Sequence, residues 1–309
     1  MPKICYIEKN FRPESLDLIT KINQVISDYE AQGYSLTLRQ VYYQMVARAI
    51  IPNNERSYKN LGNLINDARL AGLIDWFAIE DRTRNLRGLG HWNEPGAVIE
   101  SASYCYRLDK WENQENYVEV WVEKDALVGV VGKICDELDV PYFSCRGYVS
   151  QSEMWLASRR LARKQAEGKN IILLHLGDHD PSGIDMSRDI QERNILFENY
   201  GLEFHRLALN MDQIETFNPP PNPTKLSDSR SGGYIDTYGY ECWELDALEP
   251  VVIHNLIKDN VLKYRDPDLY NEVLEREKAD KEQLDQLALH YSDIADNWDD
   301  IKERYIMEE

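Results

Sequence analysis

Residues 171–183 read Ile-Ile-Leu-Leu-His-Leu-Gly-Asp-His-Asp-Pro-Ser-Gly, and they restrict the possible folds more than any other stretch. The run is short, apolar and closed by turn residues, so it predicts a buried strand. A helical pattern follows from Ile184 to about Glu198. Asp178 and Asp180 therefore stand at the C-terminal end of a strand, where open α/β sheets place their sites. Two carboxylates cannot turn into an apolar core without a counter-charge. The simplest counter-charge is a divalent cation, and Mg²⁺ takes one or two carboxylates together with waters and phosphate oxygens.

A second acidic strand end lies upstream. Tyr117 to Val122 alternates into Glu123-Lys124-Asp125, and a helical stretch runs from Ala126 to about Leu138. Val140 to Gly147 reads as a further strand with a Gly turn, followed by a helix from about Ser150 to Glu167. Strand, helix, strand, helix, strand, helix predicts an α/β fold with a parallel sheet and right-handed crossovers. Its strands end on one edge, so Glu123, Asp178 and Asp180 are expected to converge there.

The N-terminal third is helical. Apolar periodicity marks Pro13 to Ala31, Leu38 to about Ala49 with Thr37 as its cap, and Ser57 to Ala71. Three helices with tight turns predict a helix-turn-helix or winged-helix module. Residues 85–115, rich in Gly, Trp and Asn, read as a wing or linker of low regularity. The expected division is 1–90 as the helical module and 91–115 as wing or linker. Residues 116–250 would form the acidic-edged sheet domain, and 251–309 an acidic helical region. The segment 217–223 reads as extended and polyproline-like, and 225–233 as a polar loop.

The net charge of −19 argues against an indiscriminate nucleic-acid binder. Residues 1–90 carry 12 Lys and Arg against 10 Asp and Glu, so the acidity lies elsewhere. Five scattered cysteines without a C-x-x-C pair predict free thiols and no zinc site. No apolar run approaches the roughly 20 residues of a membrane span. The first residues show no signal-peptide pattern. A cytoplasmic location without membrane association is the expectation.

The two acidic strand ends resemble the Toprim domain of topoisomerases, bacterial primases and some nucleases. The wording Val122-Glu123-Lys124-Asp125-Ala126 and Gly177-Asp178-His179-Asp180-Pro181-Ser182-Gly183-Ile184-Asp185 is most similar to the topoisomerase VI A subunit and its meiotic double-strand-break relatives. Arg146-Gly147-Tyr148 resembles that family's strand-end Gly motif. Leu38-Arg39-Gln40-Val41-Tyr42-Tyr43 resembles the Arg-x-x-Tyr-Tyr pattern of its winged-helix, CAP-like module. The resemblance runs from the first helix to about Pro250. In size the chain is most like the short stand-alone A-like proteins of bacteria, plasmids and viruses, which implies a nucleoid-associated, viral or plasmid setting.

That resemblance implies a DNA-cleaving enzyme of the type IIB topoisomerase A class. Tyr43 would be the nucleophile and Arg39 its cationic partner, with Mg²⁺ or Mn²⁺ on Glu123, Asp178 and Asp180. It implies a homodimer on double-stranded DNA in which each tyrosine meets the other subunit's metal site, and possible service to a separate ATPase, the B-type subunit. Helical spacing puts Arg39 and Tyr43 on one face, although Tyr42 at i+3 is reachable as well. A guanidinium next to a phenol is expected to lower its pKa.

Each signal also has an ordinary meaning. Asp-x-Asp occurs as a turn residue and a helix N-cap. With 19 tyrosines in the chain, a Tyr pair on a helix is commonly packing. The basic residues Arg48, Arg56, Lys59, Arg69, Arg82, Arg84, Arg87, Lys124, Arg146, Arg159, Arg160, Arg163 and Lys164 can be a DNA lining or solvated helix faces. The expected DNA contacts are Arg56, Lys59, Lys124, Arg146, Lys225 and Arg230. The rival function is a Toprim metal nuclease with water as nucleophile, and a further alternative is an inactive DNA-binding adaptor.

Overall fold

The computed structural model describes residues 3–80 and 88–306; Arg82, Arg84 and Arg87 lie outside the described residues. The chain forms two compact units, Met1–Arg84 with Glu115–Tyr264, and Asn85–Gln114 with Arg265–Glu309.

The first unit opens with α1 (Pro13–Glu30), β1 (Leu36–Thr37), α2 (Leu38–Ala47), α3 (Glu55–Leu70) and β2 (Ile79–Glu80). Apolar residues at helical spacing bury Ile22, Val25, Val41, Met45, Leu61 and Ile65 among these helices. The helix starts follow their sequence signals. Thr37 and Gln40 form a reciprocal capping box on α2. The Asn54 side chain accepts from Ser57 N at 2.8 Å on α3. β1 and β2 pair in parallel over two residues.

α4 (Pro95–Cys105) belongs to the second unit. It corrects the expectation of low regularity across 85–115: Pro95 starts the helix, and Ser103 and Tyr106 hydrogen-bond to Asp285 and Asp280.

The first unit resumes with β3 (Asn116–Val122), a 3-10 turn at Asp125–Leu127, α5 (Val128–Leu138) and β4 (Tyr142–Ser144). It continues with α6 (Gln151–Ala166), β5 (Asn170–Leu176), α7 (Pro181–Leu196) and β6 (Leu202–Ala208). These four strands form one parallel sheet in the order β4-β3-β5-β6. The expected α/β class with a parallel sheet is what the molecule shows. β5 is buried from Ile171 to Leu176, as a parallel strand covered on both faces should be. Trp121, Met154, Leu161, Ile171, Leu173 and Ile190 make one core between β3, β5 and helices α6 and α7. Pairing of Val122 with Leu176 sets β3 and β5 flush, and Glu123 N donates to Leu176 O at 2.8 Å. The two acidic strand ends therefore lie side by side.

Next come α8 (Met211–Phe217), β7 (Asn222–Pro223), α9 (Ser231–Tyr238), β8 (Glu241–Cys242), a 3-10 turn at Leu245–Ala247 and α10 (Pro250–Val261). The polyproline-like segment thus ends in a short antiparallel ladder with β8, and α9 begins inside the stretch read as a loop. α10 packs on α5 and buries Ile253, Ile257 and Val261.

The second unit is completed by α11 (Pro267–Leu289), α12 (Tyr291–Asp296) and α13 (Trp298–Ile306). α4 packs along α11. Glu277 of α11 is buried and holds Lys110 Nζ at 2.7 Å, Lys281 Nζ at 2.9 Å and Leu108 N at 2.8 Å. No helix among the described residues is long and apolar enough to cross a membrane.

Candidate functional site

The site grows from the flush ends of β3 and β5. Glu123 Oε2 accepts from Asp178 N at 2.8 Å, so the first acidic strand end holds the backbone of the second. Asp178 is buried; its Oδ1 accepts from Leu245 N at 2.7 Å and its Oδ2 meets Lys124 Nζ at 2.8 Å. Asp180 caps α7, accepting from Gly183 N at 2.6 Å and Ser182 Oγ at 2.8 Å. A Cβ at Gly183 would stand 2.2 Å from the Asp178 carbonyl oxygen, so only glycine lets the turn close this tightly.

Two carboxylates that were not singled out in the sequence complete the cluster. Glu244 and Asp246 leave β8 and enter the 3-10 turn. Asp178, Glu244 and Asp246 each bring a carboxylate oxygen within 4.8 Å of the others. Lys124 Nζ binds all three, at 2.8 Å from Asp178, 3.1 Å from Asp246, and against Glu244. The expected metal set was Glu123, Asp178 and Asp180. Asp178 is common to both sets, while Glu123 and Asp180 are engaged in backbone hydrogen bonds beside the cluster. Glu244-Leu245-Asp246 repeats the two-apart spacing of Asp178 and Asp180, and that repetition is the signal that could have found it. The three carboxylates could hold a metal ion, and the cation that stands among them in this structure is the Lys124 ammonium.

α2 joins the site through Arg39. Its Nε is 2.8 Å from Asp246 Oδ2 and its Nη2 is 2.8 Å from Glu244 Oε2. The same Nη2 lies 3.4 Å from Tyr43 Oη, on the shared helix face expected from the i, i+4 spacing. Tyr42 lines the same cavity as Tyr43 and packs edge-on against both Tyr43 and Tyr58, but its hydroxyl donates to Asn53 Oδ1 at 2.9 Å and is not in the Arg39 hydrogen bond. Tyr43 lines this cavity of about 700 Å³ with Arg39, Asp180, Lys225, Cys242 and Glu244.

Electrostatics differ from the expectation for the tyrosine. Burial raises the Tyr43 pKa above its ordinary value, and Glu244 and Asp246 raise it further. Arg39 and Lys124 do pull it down, but the guanidinium is already neutralised by the two acids. Burial also pushes Glu123 and Asp178 up, against the pull of Lys124. Glu244 behaves oppositely: burial would raise it, yet Lys124 and Arg39 hold it down at about 2. Burial would lower the Lys124 pKa, but Asp178, Asp246 and Glu244 hold it above the usual lysine range.

Arg206 of β6 also went unnoticed in the sequence. Its guanidinium donates to the carbonyls of Gly177, Asp178, Gly183 and Leu209 and to Ser187 Oγ. It clamps the Asp178 turn to the start of α7.

The expected DNA contacts divide by their partners. Lys59 pairs with Glu55, Arg146 with Asp125, and Arg230 with Asp228 and Asp185. Lys124 is enclosed by the three acids. Arg56 and Lys225 make no ion pair among the described residues, and Lys225 faces the same cavity as Tyr43. Of the remaining basic residues, Arg48 pairs with Asp28, Lys164 with Glu167, and Arg160 with buried Glu119.

No protein-family model, curated protein or solved structure matches the chain.

Proposed function

We propose that the protein cleaves DNA strands by transesterification, with Tyr43 as nucleophile. What supports this reading most is one cavity lined by Tyr43, Arg39, Lys225, Asp180 and Glu244 beside a converging carboxylate cluster. The Tyr43 hydroxyl oxygen forms a bond to a backbone phosphorus as the bond from phosphorus to the 3′ oxygen breaks. The phenol proton passes to water, and the leaving oxygen takes up a proton in turn. The chain is left joined to a 5′ phosphate, and the reverse reaction reseals the strand.

Arg39 orients the hydroxyl and offers charge to the crowded phosphorus. Lys225 is a cavity cation that makes no close ion pair among the described residues, although Asp228 of the same lining feels its charge, which suits it to hold a phosphate oxygen. A divalent cation on Asp178, Glu244 and Asp246 would neutralise charge on the phosphate oxygens as a Lewis acid. The family reading behind this proposal is the topoisomerase VI A-like one, with a winged-helix-type module and a Toprim sheet, and it rests on the sequence motifs around Arg39, Tyr43, Glu123 and Asp178.

Tyr43→Phe removes one hydroxyl and little volume. Denaturant-trapped protein–DNA adducts should vanish in this variant while DNA binding and melting temperature stay near wild type. Excess EDTA should abolish adducts in the wild type. The burial of Tyr43 favours one rival, a metal nuclease using water. Cleavage by Tyr43→Phe at the wild-type rate, leaving free 5′ ends, would establish that rival instead.

A further inference from the structure

We propose that the cleft between α7, β6 and the start of α8 is a second binding site, for a planar aromatic ring that carries a neutral hydrogen-bond donor, as a phenol does. The site lies within the first unit and is independent of the function proposed above. The cleft encloses about 770 Å³, within the size range of small-ligand pockets. It shares no lining residue with the Tyr43 cavity. The β5–α7 turn gives Asp180, Pro181 and Ser182 to that cavity, and His179 and Ile184 to this cleft.

What points to a ligand is one nitrogen. His179 is 2% exposed, yet its ring lines the cleft. The backbone beneath it is pinned: His179 N donates to Trp243 O at 2.8 Å, and Trp243 N to His179 O at 2.9 Å. The ring Nδ1 lies 2.8 Å from Tyr234 Oη. That hydroxyl also lies 2.8 Å from His179 O and 3.2 Å from Glu241 O, and it has a single proton to give. Carbonyls only accept, so the hydroxyl proton goes to them. Nδ1 must then carry the ring proton and donate to Oη. Burial and Arg206 keep the ring neutral against the pull of Asp180. Nε2 is left as a bare acceptor with no hydrogen bond among the described residues. A buried acceptor without a donor is costly, so the cleft favours a molecule that supplies one.

The walls define the rest of that molecule. Ile184, Phe204, Met211 and Tyr238 line the cleft. The Tyr238 ring stands edge-on to His179, with centroids 4.7 Å apart at 83°. Such faces suit a flat aromatic ring. Arg206, two residues after Phe204 on edge strand β6, excludes a cationic donor. Its hydrogen bonds all go to carbonyls and to Ser187 Oγ, so no carboxylate in contact cancels its charge. Arg188, the other arginine of the cleft, is paired with Asp185 and Glu192. An ammonium ligand is therefore repelled, while a neutral hydroxyl, whose oxygen keeps partial negative charge, is favoured.

The test uses the full-length protein, isotopically labelled in its histidine ring nitrogens, with His179 assigned through its backbone. Long-range proton–nitrogen NMR reads which ring nitrogen carries the proton. Nε2 should be bare in the free protein. Phenol is the probe, and anisole, the same ring without the donor, is the control. Phenol should shift the Nε2 signal saturably, and anisole should bind about tenfold more weakly. Met211→Trp, which crowds the cleft, should weaken phenol binding by about tenfold while the His179 tautomer is kept. Phe204→Ala, which removes a wall, takes its place should that variant fail to fold. A blocked tyrosine amide separates two sources of the ring. Tighter binding than phenol assigns the site to a tyrosine side chain of another protein, and weaker binding to a free small molecule. A protonated Nε2, no saturable shift with phenol, equal binding of anisole, or phenol binding that the folded variant does not weaken would each overturn the proposal.

Discussion

At the residue scale, Tyr43 and Glu244 are set against each other. The phenol is buried beside two carboxylates, and the guanidinium that should activate it is shared with them. In protein free of divalent cations, the Tyr43 phenol should titrate above the ordinary value of about 10. Glu244→Gln removes a negative charge that raises it and leaves Arg39 less neutralised, so the midpoint should move down. NMR titration of ring-labelled tyrosine, with Tyr43→Phe assigning the signal, measures both. A Tyr43 midpoint unchanged by Glu244→Gln would show that the carboxylate does not govern it. A divalent cation, were one held by Asp178, Glu244 and Asp246, would act in the same direction as that substitution, because it would supply positive charge where the glutamine removes negative charge.

At the element scale, the site depends on three short pieces meeting: the start of α2, the β5–α7 turn and the segment after β8. The β5–α7 turn is held from below by Arg206, whose guanidinium serves four carbonyls and one hydroxyl. Arg206→Ala removes a charged donor from four carbonyls, of which Gly177 O keeps Leu209 N and Gly183 O keeps Ser187 Oγ, and hydrogen bonds to a charged group are among the stronger ones. The variant should lose about 2–4 kcal/mol of stability in urea denaturation. A loss under about 1 kcal/mol would mean that water replaces the clamp. The same arrangement accounts for Gly183, since a side chain there would push the α7 start off the Asp178 carbonyl.

At the scale of the whole molecule, each unit has its own buried polar anchor. In the second unit Glu277 is held down at about 2: burial would raise it, and Lys110, Lys281 and Leu108 N outweigh that. Glu277→Gln removes the negative charge that Lys110 and Lys281 pair with, and breaking a buried pair costs roughly 3–5 kcal/mol. Native-state hydrogen exchange should then lose protection in α4 and α11 while β3 and β5 keep theirs. Equal loss in β3 and β5 would show that the units unfold as one. In the first unit His175 is fully buried, its Nδ1 3.0 Å from Ser187 Oγ. Burial, helped by Arg206, lowers its pKa from 6.5 to about 3. The unfolded chain therefore binds a proton that the folded chain refuses across this window. His175 contributes stability that is present above pH 6.5 and lost as pH falls toward 3, each unit being worth about 1.4 kcal/mol at most. His175→Asn keeps a partner for Ser187 without the titration, so its urea midpoint should fall less between about pH 7 and about pH 5 than that of the wild type. Parallel curves would assign the acid sensitivity to other groups.

How much could be read in advance follows from the range of each force. The strand–helix alternation, the parallel sheet and the helix starts at Thr37 and Ser150 rest on local periodicity and caps, which the sequence displays directly, while α3 and α7 begin two or three residues before the starts expected at Ser57 and Ile184. The pairing of Arg39 with Tyr43 is equally local, being one helical turn. By itself the sequence thus determined the three N-terminal helices, the strands β3, β4 and β5 with the helices after them, the acidic strand ends and the face that carries the tyrosine. The recruitment of Glu244 and Asp246 was decided only by tertiary structure, because Arg39 finds Asp246 across 207 residues and Lys124 finds it across 122. The net electrostatics followed from that meeting: Arg39 read alone should activate Tyr43, but buried Asp246 and half-buried Glu244, brought from the far end of the unit, neutralise it. α4 was hidden for a related reason. Its Gly- and Trp-rich surroundings carry little helical signal, and Ser103 and Tyr106 are held by α11, nearly two hundred residues later. Contacts at such separation leave no period in the chain, so they become visible only once the elements have packed.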